Sequence, residues 1–529
     1  MPQKPLPKSS HRWAASALSG LLLVACFPKL DWHPLVWVAC LPLLAAVVSE
    51  PRLRRAFALA YFSGAIFLAG TCYWFVGVME QHGNLHPALA LGVLVLFALI
   101  FSTFFGAFGL VEGWLARRSA GVALAASPFV WVTAELARTY LITGFPWNLL
   151  GYAMQGTGVR QVASLTGVYG LSFLAVATSA LLVWVLTAPA RKRSGAALAA
   201  WLALLALTQF ALRPDDSLHP SNRAILLQPN VPLDEPSLDA WEPWRDPTRL
   251  QQLVQTTLAA AFESSRDVPP GRPDEQGAKA APAGPPLIVW AENPAPFFFT
   301  RDPVFREAVE KMARQAGAFV VVNTVNFVGP GTAQATNSAV VLDPEGRAVM
   351  TYDKIHLVPF GEYVPPWAFP GKIGKITSEV GSYVPGASYN VARTPQGTIG
   401  VFICYEAIFP QLVRRLALAG AEVLVNISND AWYGDSAAAA QHLEMARLRA
   451  IENHRYLLRA TNDGITVVID PYGRVAAQLP RHRLLVLPGR FSYLSSRTFY
   501  TAHGDVFAWL CVGVATLFAG WRMARGGRK

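Results

Sequence analysis

Acyl transfer through sulfur needs a nucleophilic thiol, a base for its proton, and positive charge where a carbonyl oxygen becomes an oxyanion. Cys404, Glu292 and Lys354 are the residue types that supply these parts, and each stands at the end of a short apolar run in the second half of the chain. Cys26, Cys40, Cys72 and Cys511 lie in long apolar stretches, where a thiol is an ordinary packing residue. Cys404 has no cysteine partner in its own segment. In an oxidising compartment such a thiol is either buried and inert or kept for its chemistry. A Glu or Lys at a strand end is, taken singly, a solvated rim charge, so the three carry weight only as a set.

The runs that must position them read as strands. Cys404 follows Thr398-Ile399-Gly400-Val401-Phe402-Ile403 and precedes Tyr405-Glu406, and Glu292 follows Leu287-Ile288-Val289-Trp290-Ala291. Further β-rich runs are Ala224–Leu227, Phe319–Val322, Ala339–Leu342, Val423–Asn426 and Ile465–Ile469, with helical patterns at Asp302–Ala316, Pro410–Ala419 and Ala437–Asn453. Buried strands interleaved with helices predict a layered α/β domain over residues 213–504. Segment 264–286, rich in Pro, Gly, Ala and charge, cannot form a core and is expected to be a mobile surface insertion.

The remainder is built for lipid. Hydrophobic residues make up 53% of the 529 and charged residues 15%, against about 45–50% and about 25% in soluble domains. Apolar runs near 12–28, 33–49, 56–78, 87–115, 121–138, 162–187, 195–212 and 505–521 predict eight membrane spans. Fifteen Lys and Arg residues fall in five clusters (4–12, 52–55, 117–118, 191–193 and 522–529), which with Glu50 carry +14 of a total of +11 and leave −3 for everything else. No basic face remains for nucleic acid. All five clusters share one side if the N-terminus is cytoplasmic, the positive-inside pattern. Seven spans in residues 1–212 then place 213–504 outside, and the span in 505–529 returns a basic tail to the cytoplasm. Reading the first span as a cleaved signal would break this alternation, so it is taken as retained. Glu135, near the end of the fifth span, is expected to pair with Arg138.

Three stretches are more specific: His356-Leu357-Val358-Pro359-Phe360-Gly361-Glu362-Tyr363-Val364-Pro365, Cys404-Tyr405-Glu406, and Asn426-Ile427-Ser428-Asn429-Asp430-Ala431-Trp432-Tyr433-Gly434. With Glu292 upstream, this set resembles the Glu-Lys-Cys triad of the nitrilase (carbon–nitrogen hydrolase) superfamily. Combined with the spans and the Gly144-Phe145-Pro146-Trp147 loop, the chain resembles the bacterial apolipoprotein N-acyltransferases over nearly its whole length. The resemblance implies a polytopic helical bundle plus a periplasmic αββα sandwich in the bacterial inner membrane. It also implies transfer of a fatty acyl chain from a phospholipid, chiefly phosphatidylethanolamine, through a Cys404 thioester. The acceptor it implies is the N-terminal amine of a diacylglyceryl-modified apolipoprotein.

The same resemblance assigns support to Glu362, Tyr405 and Glu406, substrate contact to Trp432, and an entrance role to either Trp241 or Trp244. Trp367 and Phe369, in a Pro-rich loop after Lys354, are expected to meet the bilayer. One departure is Ala291, where the family commonly has Pro before the catalytic Glu. No metal or other cofactor is expected, since the histidines lack ligand spacing and His442 and His454 stand twelve apart on one helical pattern. The enzyme is taken as a monomer. Two other readings stay open: a membrane-tethered amidase using the same triad on a small amide, and a transporter whose outer domain only binds.

Overall fold

A computed structural model of the chain describes residues 9–155, 158–187, 191–231, 233, 247–266, 284–292, 298–329, 334–365 and 383–524. Trp241, Trp244, Trp367 and Phe369 lie outside the described residues, as does most of segment 264–286. Residues 264–266 of that segment are the end of the helix Thr248–Arg266.

The first half is helical. Pro87–Ala116, Ala120–Tyr140, Val168–Thr187 and Lys192–Ala211 are each long and apolar enough to cross a membrane, as is Val506–Ala524 near the end of the chain. A sixth candidate is the pair Leu53–Thr71 and Trp74–Gln81, bent by 50°. The first two expected spans are shorter. Ser9–Ala25 has 17 residues, about 26 Å of helix, and His33–Val48 is split into a 3-10 turn and an eight-residue helix with Pro near the start of each. The expected span at 162–187 starts later, at Val168, because Gly167 takes φ +65 and breaks the helix. A Cβ there would stand 2.6 Å from the Tyr500 ring, so only glycine fits the turn.

From Asn222 onward the described residues hold twelve strands: β1 (Asn222–Gln228), β2 (Leu287–Trp290), β3 (Phe319–Phe327), β4 (Ala335–Leu342), β5 (Ala348–Asp353), β6 (Val391–Arg393), β7 (Thr398–Ile403), β8 (Val423–Ser428), β9 (Tyr456–Thr461), β10 (Val467–Ile469), β11 (Val475–Gln478) and β12 (Leu485–Phe491). They form two six-stranded sheets, ordered β12-β1-β2-β3-β4-β5 and β11-β10-β9-β8-β7-β6. Both have the same plan, with three parallel central strands joined by helical crossovers and antiparallel strands outside. Alternation does the sorting. Leu226, Val289, Val321 and Val341 face the second sheet, packing in one core with Val401, Val425, Leu458 and Val468. Ile225, Ile288, Val320 and Val322 face the other way, onto Leu250, Leu253, Phe305, Val309 and Met312 of the helices Thr248–Arg266 and Pro303–Ala316. This is an αββα sandwich.

Helix Ala438–Asn453 is clamped between the second sheet and the bundle, and nearly all of it is buried. It carries the polar bonds that fix the two halves. Gln441 accepts from Trp147 Nε1 at 2.8 Å and donates to the Pro28 and Thr71 carbonyls. Glu444 pairs with Arg160 at 2.8 Å. Arg449 donates to Glu452 at 2.9 Å and to the Tyr152 hydroxyl at 3.2 Å, while Glu452 also accepts from the Val168 N–H. Arg449 and Glu452 have no exposed side-chain surface. Removing one member of such a pair leaves an uncompensated buried charge. Arg449→Ala is therefore expected to destabilise the detergent-solubilised protein by roughly 3–5 kcal/mol, read as a lowered thermal midpoint. The double variant Arg449→Met, Glu452→Met should recover part of the loss.

Candidate active site

The candidate residues lie at strand ends. Glu292 follows β2, Cys404 follows β7 and Asn429 follows β8, at the C-terminal ends of parallel strands, where open α/β sheets bind ligands. Lys354 directly follows β5, and its N–H is tied to the Asn337 carbonyl on β4 at 2.8 Å. The two sheets thus deliver different parts: the first brings Glu292 and Lys354, and the second brings Cys404.

Lys354 Nζ is 2.8 Å from Glu362 Oε1 and 3.6 Å from Glu292 Oε1, with its side chain 1% exposed. The Asn337 amide donates to both carboxylates, at 2.8 Å to Glu292 and 3.0 Å to Glu362. Asn429 N–H completes the hold on Glu292 at 3.0 Å, and Val358 N–H that on Glu362 at 2.8 Å. Burial disfavours the ammonium, but the Glu362 and Glu292 carboxylates outweigh it, and the Lys354 pKa is raised. Lys354 therefore carries its charge at any working pH.

Cys404 takes φ 50, a left-handed conformation for a residue with a Cβ, between the end of β7 and the 3-10 turn Cys404–Ile408. Such a conformation costs on the order of 1–3 kcal/mol and persists only where neighbours enforce it. The first N–H groups of that turn have no carbonyl behind them in the helix. Burial pushes the thiol pKa up and the Glu292 carboxylate adds to this; Lys354 and a hydrogen bond with Ser428 pull the other way without reversing it. The resting state is a thiol.

Glu406 joins the two sheet edges. Its carboxylate accepts from Ile355 N–H at 2.7 Å, His356 N–H at 3.1 Å, Ile403 N–H at 2.7 Å and the Tyr352 hydroxyl at 2.9 Å. Burial raises its pKa to about 7. Tyr405 is buried with its ring against Phe409 and His356. Trp432 is half-buried, with its ring 4.8 Å from His82 at the end of the helix Trp74–Gln81. Its neighbour Tyr433 faces inward, against Trp74, Trp147 and His442. Glu135 accepts from Trp131 Nε1 and Leu150 N–H, and Arg138 donates to the Asn148 carbonyl, so the expected direct pairing is not made.

Sequence reading did not reach Asn337, set His442 aside as a metal ligand, and gave Asn429, Asp430 and Tyr433 no separate roles within their motif. The signal for Asn337 was weak, since it stands in the polar stretch Thr336-Asn337-Ser338 just before the apolar run of β4. The stretch 426–430 is now explained bond by bond. Asn426 Oδ1 accepts from Arg459, Ser428 Oγ donates to Asp430, Asn429 holds Glu292, and Asp430 pairs with Arg459.

These features define a carbon–nitrogen-hydrolase fold joined to a membrane bundle. Residues 239–488 match the carbon-nitrogen hydrolase model, and residues 19–181 match the apolipoprotein N-acyltransferase N-terminal domain. The chain is 36% identical to the apolipoprotein N-acyltransferase of Geobacter metallireducens, over 97% of this chain and 95% of that one. It is 32% identical to that of Methylococcus capsulatus, over 96% and 95%. Among solved structures it is similar to an amidase from Nesterenkonia sp. AN1 (20% identity, TM-score 0.37, 55% of this chain and 97% of that chain). Saccharomyces cerevisiae Nit3 is a second (17% identity, TM-score 0.37, 55% and 97%). The chain belongs to the apolipoprotein N-acyltransferase family.

A thiol with a raised pKa reacts slowly until the solution is alkaline. Alkylation of Cys404 by iodoacetamide, followed by mass spectrometry of its peptide, should accelerate about tenfold per pH unit through pH 9 without levelling. Lys354→Met should shift the curve further alkaline. A plateau by pH 8 would contradict the protonated resting state.

Proposed function

We propose that Cys404 is the nucleophile, Glu292 the general base and acid, and Lys354 the main oxyanion donor in a two-step transfer. Glu292 takes the Sγ proton as sulfur attacks a phospholipid ester carbonyl. Lys354 and the Tyr405 N–H meet the oxyanion. The ester C–O bond then breaks, Glu292 returns the proton to the departing lysophospholipid alcohol, and a thioester remains on Cys404. In the second step an amine attacks the thioester while Glu292 accepts its proton. The C–S bond breaks, the acyl chain leaves as an amide, and Glu292 reprotonates the sulfur. Family membership supports the N-terminal amine of a diacylated apolipoprotein as acceptor and a membrane phospholipid, phosphatidylethanolamine first, as donor.

The observation that carries the reading is the convergence of Glu292, Lys354 and Cys404 from two sheets beside a helix seated on the membrane bundle. Glu362 and Glu406 act by position: one holds Lys354, the other fixes the spacing of the two sheet edges. Trp432 is placed to meet substrate outside the triad, and Trp241, Trp244, Trp367 and Phe369 keep the entrance and bilayer roles that the family likeness implies. The basic clusters support a cytoplasmic N-terminus, a bundle over 1–212, a periplasmic domain over 213–504 and a closing span in 505–529, in the bacterial inner membrane. The enzyme acts as a monomer.

Exposure of the purified protein to phosphatidylethanolamine should add one fatty acyl mass to Cys404, absent in Cys404→Ala. Glu292→Gln should slow acylation by roughly 10²–10⁴-fold and Lys354→Met by roughly 10²–10³-fold. A diacylated lipopeptide should then take the chain faster than water or ammonia does. Release to water at an equal rate would favour the amidase reading instead.

A further inference from the structure

His442 has no place in the reaction above, yet it touches the backbone of the nucleophile. It lies on helix Ala438–Asn453 with no exposed surface. Its Nε2 is 3.1 Å from the Cys404 carbonyl oxygen. A carbonyl only accepts, so Nε2 carries the proton. Nδ1 lies 3.1 Å from Arg459 Nη2 and 3.0 Å from Asp430 Oδ1. Asp430 is itself held by Arg459 Nη2 at 2.6 Å and by Ser428 Oγ at 2.8 Å. Burial and the Arg459 charge keep the imidazole pKa below its ordinary value. In that neutral ring, Nδ1 is left to accept from Arg459. From the bundle, Trp147 stacks on the imidazole at 5.6 Å and 27°.

This is more than a core histidine satisfied locally. Its proton reaches 38 residues back along the chain, to the one residue in the proposed triad whose backbone is left-handed. We infer that His442 is a positioning residue for Cys404: by donating to the Cys404 carbonyl it enforces the left-handed turn that aims Sγ and turns the Tyr405 N–H toward the oxyanion. Arg459, itself held by Asp430, fixes the tautomer by donating to Nδ1, and Trp147 carries the position of the bundle to the turn. The inference rests on Cys404 being the nucleophile.

The test uses the full-length enzyme in micelles with phosphatidylethanolamine and follows single-turnover acylation of Cys404 by intact mass. Thioester formation in the unaltered enzyme establishes the nucleophile independently of what His442 does. Glutamine places an amide nitrogen near the position of Nε2, and asparagine places one near Nδ1. His442→Gln should keep the maximal rate within about fivefold, and His442→Asn should lose about a hundredfold, as displacement of a reacting group by about 1 Å does. The half-saturating donor concentration should stay unchanged in both, and their thermal midpoints should agree. Equal rates in the two variants, or a loss confined to half-saturation, would overturn the assignment. Where His442→Asn does not fold, His442→Gln decides: folded protein slower than about one-tenth of the unaltered rate overturns it.

Discussion

One buried ammonium held between two carboxylates is the constraint on which the site depends. An ion removed from water costs several kcal/mol unless the protein replaces its hydration, and two neighbouring carboxylates repel one another. The fold meets both demands. Lys354 sits between Glu362 and Glu292, the Asn337 amide bridges the same two oxygens, and backbone N–H groups of Asn429 and Val358 take the remaining acceptors. Burial, with Glu292 adding to it, keeps the neighbouring sulfur protonated, so the carboxylate that helps hold Lys354 is also the one proposed to free the thiol.

Because the triad is split between two sheets, its geometry depends on how far apart the sheets stand. Side-chain packing sets that distance only loosely; Glu406 sets it by hydrogen bonds. One carboxylate accepts from Ile355 and His356, immediately after Lys354, and from Ile403, immediately before Cys404. A group outside the proposed triad thus fixes two of its members. The cost shows in its raised pKa, about 7, since burial is only partly offset by the donors around it.

How much of this was legible in the sequence follows from what each signal requires. The apolar strands that flank the triad, Leu287–Trp290 and Thr398–Ile403, stand out because both faces are buried and the runs are continuous. The strand Tyr456–Thr461 does not, because Arg459 interrupts it; that arginine is wholly buried and paired with Asp430 and Asn426, a contact between residues about thirty apart. Edge strands such as Ala348–Asp353 and Val475–Gln478 are largely exposed and carry apolar runs of only three residues. The triad itself could be named from residue types, strand ends and family motifs. The residues bonded around it could not, since the contacts of Asn337 and His442 exist only once the sheets pack. Trp432 shows a related limit: the motif could be read, but not which rings it meets, since the 3-10 turn Asp430–Tyr433 sets Tyr433 against Trp74, Trp147 and His442 and Trp432 against His82.

The join to the bundle shows why the catalytic half is not simply tethered. A tether would need only a span and a linker. Here the helix that backs the second sheet is buried along almost its whole length, with Arg449, Glu444 and Gln441 bonded to residues from several bundle segments. Buried polar contacts of this kind add little net stability compared with apolar packing, but they tolerate only one alignment. For the proposed donor, each methylene dragged from lipid into water costs about 0.8 kcal/mol. An ester carbonyl must therefore be met at the depth where it rests. A domain free to ride up or down would lose that depth with every fluctuation, whereas one locked by charge pairs holds its thiol at a single height.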